Sequence, residues 1–398
     1  MNNTFTTAST RTLKSFTALA TAATLTCSLM AAPAQADEPP PGAPREPALG
    51  LSIYGVIDVA VEHLGDSKGQ SVTLMQKVGH VPSRLGFRDV EDLGQGLRAG
   101  INLEMGIGVD TGASVSTSKT WARESHLTLG RRDLGELKVG RQQSLMEQGY
   151  LMFDVDHLSQ YSPALAMRLA NLDQDPWDNA ISYRTPVWQG FSVAAAFSLA
   201  EKGRATPGQY APQIVGAGTL RNQRAVLATY MAGPWAAGLS WQNGGEHLDT
   251  GGDAIQSLLN ASLVFRTPEW EVGGMLWTQR NELPSGTTPR TDMWMLGGAY
   301  NLNPAVKLVA QVGQARDNGQ NYYVGVDKGT GRNQYLNLGA DYNFSRRTTV
   351  YTRLGRISDS GDGFNGRAAL SSLAVAEGLT VPANGSVKGV AIGLRHWF

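Results

Sequence analysis

The chain ends with Gly389-Val-Ala-Ile-Gly-Leu-Arg-His-Trp-Phe398, and this stretch decides the fold. Every second residue from Val390 to Phe398 belongs to a mainly apolar set, whereas the residues between them are small or polar apart from Trp397 and include Arg395. Successive side chains of a β-strand point to opposite faces, so this alternation indicates a strand whose two faces meet different surroundings. One face suits lipid and the other suits water, which predicts a strand in the wall of a membrane barrel.

The same alternation is clear at residues 335–344. Leu336 and Leu338 begin an apolar set, and Asn337, Gly339 and Asp341 stand between its members. So many small and polar residues would be costly inside a soluble core. After the N-terminal segment, no apolar stretch reaches the length of a membrane helix, so a bilayer-spanning chain of this kind must form a closed barrel.

The spacing of the alternating segments predicts how many strands there are. From Leu51 onward, segments of about 9 to 13 residues are joined by connections that are alternately short and long. The short ones contain Gly, Pro, Asn or Ser and lie at 92–95, 131–135, 185–190, 232–234, 266–269, 301–304 and 343–346. The long ones lie near 63–70, 106–120, 144–177, 201–218, 243–255, 281–289, 316–332 and 358–386. Seven short turns and eight long loops predict an all-β, transmembrane antiparallel β-barrel of 16 strands, with short periplasmic turns, long extracellular loops and an aqueous lumen.

Composition and aromatic placement agree with a barrel. The 398 residues include 34 basic and 34 acidic side chains, a balance that gives no indication of a nucleic-acid partner. Aromatic residues lie near segment ends, as two interfacial girdles would place them, and the alternative is the buried aromatics of a soluble β-sandwich. Those by the short turns are Tyr54, Tyr183, Trp188, Trp235, Trp270, Tyr300, Tyr342 and Phe344, and those toward the long loops are Trp241, Trp277 and Trp294.

The N-terminus predicts export. Arg11 and Lys14 precede an apolar stretch at 16–32, and Ala34-Gln-Ala36 fits the small-residue rule for signal-peptide cleavage. We therefore predict a signal peptide at 1–36, a Pro-rich periplasmic lead-in at 37–49 and the barrel at 50–398. An anchoring helix is the alternative for the first segment. Cys27, the one cysteine, lies within it, so a lipid-modified cysteine is a second alternative and the mature chain would otherwise have no thiol.

Five stretches together resemble the trimeric general porins of Gram-negative bacteria, especially their β-proteobacterial branch. The resemblance covers Leu51 to Phe398 and rests on residues 51–58, 83–99, 137–142, 178–183 and 393–398 in this order and spacing. It implies an outer-membrane, non-enzymatic channel without cofactors, through which small hydrophilic solutes and ions diffuse passively, with a weak preference for anions. It also implies a homotrimer, contact with outer-membrane lipid and lipopolysaccharide, and a C-terminal Phe398 that signals to the barrel-assembly machinery.

The resemblance further implies a constriction formed by the third extracellular loop, here 144–177, folded into the barrel. Strand parity places Arg84 and Arg88 on the lumen side, and Arg141 joins them by resemblance alone, because it shares a face with Leu137 and Val139 unless a bulge redirects it. The acidic loop residues opposite them would be Glu147, Asp154, Asp156, Asp173 and Asp175. Arg98 and Glu104 have lumen parity and are assigned to the vestibule. Many relatives carry a further base before the sixth strand, where this chain has Asp175-Pro-Trp-Asp178; Arg168 could fill that place.

Other functions remain as alternatives. An outer-membrane enzyme would need paired catalytic groups, but the six histidines show no motif spacing, and no ligand spacing predicts a metal site. A receptor or adhesin could use the long loops at 201–218 and 358–386. A channel selective for one substrate class, such as small carboxylates, would be built on the same barrel and is the nearest alternative.

Overall fold

A computed structural model describes most of the region predicted to form the barrel. Its described residues are 49–76, 79–116, 118–165, 176–199, 219–247, 251–286, 288–317, 331–360, 379, 381–382 and 384–398. The predicted signal peptide, nearly all of the lead-in, Arg168, Asp173 and Asp175 lie outside them.

Sixteen long strands and three short ones form a single antiparallel sheet in the described residues. The short strands are β2, β5 and β10. In chain order the strands are β1 (Ser52–Asp66), β2 (Ser71–Met75), β3 (Arg84–Gly94), β4 (Leu97–Gly108), β5 (Ala113–Ser114), β6 (Glu124–Arg131), β7 (Gly135–Gln142), β8 (Trp177–Arg184), β9 (Phe191–Ser198), β10 (Thr219–Leu220), β11 (Gln223–Ala232), β12 (Trp235–His247), β13 (Asp253–Arg266), β14 (Trp270–Glu282), β15 (Arg290–Asn303), β16 (Val306–Asp317), β17 (Arg332–Asn343), β18 (Thr348–Ser360) and β19 (Ser386–Trp397).

The first and last strands close the sheet into a barrel. β1 pairs with β19 from Val56 opposite Trp397 to Asp66 opposite Val387. Closure leaves no unpaired sheet edge, which is the condition for a β-structure to cross a bilayer. The predicted closed antiparallel barrel of 16 strands is confirmed.

The alternation along each strand separates an outer face from a lumen face. On β17, Leu336 and Leu338 are exposed on the outer surface, whereas Asn333 and Asn337 are buried on the inner side. On β19, Ile392 and Leu394 point outward, and Ala391 points inward and is buried. Trp277 departs from its predicted place in an outer girdle, because it points inward and belongs to the buried cluster on the inner wall.

The second barrel strand is interrupted. Both β2 and β3 pair with β1, and residues 79–83, which precede β3, leave the sheet toward the lumen. Asp58 of β1 holds this inward segment: its carboxylate accepts hydrogen bonds from the backbone N–H groups of His80 (3.1 Å) and Val81 (3.0 Å). The Tyr351 hydroxyl donates to the same carboxylate. The segment is therefore fixed to the inner wall.

A helix, α1 (Leu145–Phe153), begins the long loop at 144–177 and lies inside the barrel. The Ser144 side chain caps its N-terminus by accepting the Glu147 backbone N–H. The helix packs on small wall residues: a Cβ on Gly238 would lie 2.2 Å from the Phe153 ring. Among the described residues, no helix has the length and hydropathy needed to cross a bilayer.

Candidate pore constriction

The chain after α1 follows the inner wall of the barrel. Val155 packs in a buried cluster with Ala299 of β15 and Val309 of β16. The Arg266 guanidinium donates to the Met152 carbonyl (2.6 Å), and Lys307 Nζ donates to the Val155 carbonyl (3.4 Å). Both basic side chains come from wall strands, so the loop backbone is held by the wall at two successive points.

Asp154 organises the turn that follows the helix. Its carboxylate accepts hydrogen bonds from the Leu158 backbone N–H (2.7 Å) and the Ser162 hydroxyl (2.6 Å), both within the loop. It also accepts a hydrogen bond from Gln311 Nε2 of β16. A carboxylate that accepts several hydrogen bonds can pair the buried polar groups of a turn. The Asp154 carboxylate does this and also attaches the turn to the wall.

Asp156 and Arg353 form the strongest attachment of the loop to the wall. Arg353 of β18 donates through Nη2 to Asp156 Oδ1 (2.8 Å) and through Nε to Oδ2 (3.1 Å), a bidentate geometry. Its Nη1 donates to Asp341 Oδ1 of β17 (2.6 Å). The Arg353 and Asp156 side chains are each only 2% exposed. A buried charge left without its partner is costly, so this pair holds the loop firmly in place.

The inward segment between β2 and β3 meets the loop at the same point. His80 Nε2 lies 3.7 Å from Asp156 Oδ1, and the His80 ring packs edge-on against Tyr351. Tyr161 of the loop donates a hydrogen bond to Glu62 of β1 nearby. The lumen is thus narrowed from two sides, by the loop and by a segment of the wall itself.

Electrostatics around this contact are set by burial and by Arg353. Burial lowers the pKa of His80 well below its usual range, and the positive charge of Arg353 lowers it further. Burial acts to raise the pKa of Asp156, but Arg353 outweighs it and holds that pKa well below its usual range. Neutral His80 therefore lies beside an ion pair between Asp156 and Arg353.

The described acidic residues of the loop face the wall or the helix. Asp154 and Asp156 are 0% and 2% exposed, and Glu147 in α1 is 5% exposed. The structure thus places Asp154 and Asp156 in contacts that hold the loop and buries Glu147 within α1.

Arg84 and Arg88 lie together on the lumen face of β3. Arg84 Nε lies 3.6 Å from Glu104 Oε2, and its guanidinium lies 5.3 Å from the Trp397 ring centroid. Arg88 lies over the Tyr54 ring at 5.0 Å. Glu104 is also bound by Arg123 at 2.6 Å, so its charge is shared between two arginines. The structure therefore brings Arg84, Arg88 and Glu104 into one group.

Arg98 lies away from that group, opposite Asp92 beside the turn that joins β3 and β4. The structure therefore places Arg98 at the short-turn end of the barrel.

Arg141 lies in a different group. A register shift between Gly140 and Gln142 marks a bulge, and Gly140 has a φ of +126°, which a glycine adopts readily. Arg141 donates through Nη1 to Asp178 (2.5 Å) and through Nε to the Ala122 carbonyl (2.6 Å). Lys119 binds the same Asp178 carboxylate. Arg141 thus shares none of these partners with Arg84 or Arg88.

Sequence analysis assigned no role to Arg123, Arg353 and Arg395, whose side chains also lie on the lumen side. Arg395 of β19 lies 6.0 Å from the Tyr351 ring centroid, and its Nε atom is buried without a hydrogen-bond partner. The parity of the last strand already placed Arg395 on the water face. Parity gives a face but no partner, so it could not distinguish an arginine that anchors the loop from one that faces the pore.

Comparisons with known proteins agree with this architecture. The family model of the Gram-negative porins matches residues 18–362. The chain belongs to the Gram-negative porin family. It is therefore an outer-membrane channel protein and not an enzyme, as the sequence predicted.

Individual relatives support the family assignment. Outer membrane porin protein 32 of Delftia acidovorans is 27% identical over 359 residues, which cover 87% of this porin and 94% of that protein. An outer membrane porin protein of Bordetella pertussis is 26% identical over 299 residues, covering 68% of this porin and 75% of that protein. Among solved structures, an anion-selective porin from Comamonas acidovorans superposes with a TM-score of 0.72 at 22% identity, covering 88% of this porin and 99% of that chain. The trimer form of OmpT from Vibrio cholerae gives a TM-score of 0.61 at 14% identity, covering 87% and 99%.

Acid should loosen the constriction loop of this porin. If the loop detaches, His80 meets water and binds a proton below about pH 6.5, whereas His80 buried under the attached loop stays neutral. The free energy that holds the loop to the wall therefore decreases as pH falls through 6.5, by up to about 2 kcal/mol at pH 5. His157 has a pKa lowered by burial and acts in the same direction. Asp154 opposes them, because burial and then Asp156 raise its pKa to about 6, so its protonation below that pH favours the attached loop. Between pH 7 and pH 5 the Asp154 effect is about 1.3 kcal/mol, which is less than the effect of His80 alone.

Single-channel recording at pH 7 and pH 5 measures this effect. We expect current fluctuations to increase at pH 5 in the wild type and to increase less in His80→Gln. His63→Gln is the matched control, because His63 is exposed on the outer face of β1. Equal pH dependence in the wild type and His80→Gln would contradict the role of His80.

Proposed function

We propose that this porin forms a water-filled channel for passive diffusion of small hydrophilic solutes and ions, with a weak preference for anions. The anion preference rests on the surroundings of Arg88 and Arg395. Both have lumen parity and lie over aromatic rings, and neither forms an ion pair with a carboxylate in the described part of the chain. Contact with an aromatic ring does not neutralise a guanidinium group as a carboxylate would. These side chains therefore attract anions into the lumen.

The other lumen residues have separate roles in this proposal. Arg84 contributes to the basic wall with its charge reduced by Glu104, and Arg98 lies in the vestibule. Arg141 supports the wall through Asp178 more than it acts on solutes. Asp154 and Asp156 fix the loop, Glu147 is buried in α1, and the acidic side of the constriction is assigned to Asp173 and Asp175, which lie outside the described residues. Such a field across a narrow aqueous gap favours hydrophilic solutes.

Assembly and surroundings complete the proposal. The signal peptide at 1–36 is removed on export, and the barrel forms a homotrimer like the trimer form of OmpT. Phe398 acts as the signal for the barrel-assembly machinery; its ring packs over Gly55, and the two backbones exchange hydrogen bonds of 3.1 Å. Lipopolysaccharide surrounds the outer surface. The relative described as an anion-selective porin supports the direction of the ion preference.

Planar-bilayer recording of the purified protein tests the channel. We expect closely spaced conductance steps in KCl and a reversal potential that indicates weak anion preference. Absence of any conductance would overturn the proposal. Solute-dependent block at low concentration would instead favour the alternative, a channel selective for small carboxylates.

A further inference from the structure

Four basic side chains lie on the outer face of the barrel near the ends that lead to the long loops. Arg316 is the penultimate residue of β16, Arg332 is the first residue of β17, Arg356 lies in the second half of β18, and Lys388 is the third residue of β19. All four side chains are exposed. We call this group the outer basic patch.

Like charges face each other within the outer basic patch. Arg316 lies directly opposite Arg332 across β16 and β17, and Arg356 lies directly opposite Lys388 across β18 and β19. Like charges in directly opposed positions of an antiparallel pair repel each other. Within the part of the chain that the structure describes, none of the four side chains has a hydrogen bond or an ion pair. Within the described residues, no ion pair therefore relieves this repulsion.

Asp292 of β15 lies directly opposite Arg316 at the edge of this surface, but Arg290 binds its carboxylate. Asp341 of β17 and Asp359 of β18 are buried on the inner side, and the outward positions of β16 to β19 in the described residues carry no carboxylate. Elsewhere on the same rim, basic residues do have partners: Arg290 binds Asp292 at 2.9 Å, and Arg224 donates to Asn243 at 3.1 Å. The outer basic patch thus lacks the neutralisation that its neighbours have.

An apolar surface lies directly beside the outer basic patch. Leu336, Leu354 and Ile392 are outward and exposed on the same strands, toward the short turns. This arrangement puts the patch at the upper boundary of the lipid-facing band, where lipid head groups of the outer leaflet lie. Arginine binds phosphate through two parallel N–H donors of its planar guanidinium group. Two facing arginines with no acidic partner between them therefore suit a phosphate group.

We propose that the outer basic patch binds the phosphorylated head group of outer-leaflet lipopolysaccharide. The proposal deepens the lipid partnership stated under the proposed function and rests on it. Arg356 lies opposite Leu336 of β17, which is four positions from Arg332, so the two basic pairs are about 13 Å apart along the strands. The pairs are also two strands apart, about 10 Å across the sheet, which gives a separation of about 16 Å between them. Two pairs at that spacing can hold two phosphates of one head group, while the acyl chains contact the apolar surface below.

Lipid binding by the purified, folded protein in detergent tests this site. The probe is bis-phosphorylated lipid A, with its dephosphorylated form for comparison, and binding is measured by native mass spectrometry. We expect the pair variants Arg316→Gln/Arg332→Gln and Arg356→Gln/Lys388→Gln each to weaken binding about tenfold, and the fourfold variant to weaken it further. Dephosphorylated lipid A should bind the wild type as weakly as lipid A binds the fourfold variant.

The matched control is Arg224→Gln on β11, which removes an outward charge from the same rim and should leave binding unchanged. Wild-type affinity in the fourfold variant would overturn the proposal. Displacement of lipid A by an equal concentration of inorganic phosphate would also overturn it, because the patch would then be a site for free phosphate. Conductance recorded on the same samples keeps this test separate from that of the channel, since the patch variants should conduct like the wild type.

Discussion

Replacing Arg353 with Met should release the constriction loop from the wall and turn a steady pore into one that fluctuates toward a larger conductance. The substitution leaves the carboxylates of Asp156 and Asp341 buried without their cation. Removing one partner of a buried ion pair costs about 3–5 kcal/mol, which is a large part of what could hold a loop in place. Single-channel recording in KCl measures the frequency and size of the transitions.

Two further variants serve as a control and as a graded test of the Arg353→Met result. Arg356→Met lies on the same strand but on the outer face, so it should leave the current steady. Asp156→Asn removes the loop charge while Arg353 keeps Asp341, and it should give an intermediate effect. The barrel itself is held by its strand pairing, so heat-modifiable migration on gels should stay normal. A quiet, unchanged current in Arg353→Met would show that the ion pair does not restrain the loop.

Reversing two lumen charges together, Arg88→Glu and Arg395→Glu, should change the preference of the pore from anions to cations. Neither arginine forms an ion pair with a carboxylate in the described structure, so each reversal removes one positive charge and adds one negative charge on the lumen side. In a narrow aqueous gap, such fixed charges act strongly on permeant ions. The reversal potential across a KCl gradient is the measurement, and we expect its sign to change.

Single variants and an outer control make this result specific. Arg88→Glu and Arg395→Glu alone should each shift the reversal potential part of the way toward cations. Arg356→Glu changes the same net charge on the outer face and should leave the reversal potential unchanged. If the outer variant shifts the potential as much as the lumen variants do, the preference arises from overall charge and not from these two arginines.

Most of the barrel could be predicted from the sequence because the information is local. Alternation along 335–344 and 389–398 gives the two faces of a strand, and the turn residues give the strand count. The inward segment between β2 and β3 could not be predicted in this way. Its position depends on Asp58 and Tyr351, which come from strands far apart in the chain and meet only when the barrel closes.

For the site, the sequence predicts only the face of the strand on which each side chain lies. Parity placed Arg84 and Arg88 in the lumen, and family resemblance supplied Arg141, whose bulge at Gly140 no periodicity indicates. The acids of the loop were expected to face the pore, but burial of Asp154 and Asp156 depends on Gln311 and Arg353, more than 150 residues away. Long-range partners of this kind leave no pattern in the sequence.

The seam between β1 and β19 has a consequence for the order of assembly. Its paired residues, such as Val56 and Trp397, are roughly 340 residues apart, so they are among the most distant contacts in the chain. Loop-closure entropy opposes such contacts, so the seam forms after the local hairpins. Until it forms, two full-length strands present open edges that could pair with another chain. Pairing of β19 with β1 removes both edges at once, so the open sheet that precedes closure is the form of this barrel most exposed to misassociation.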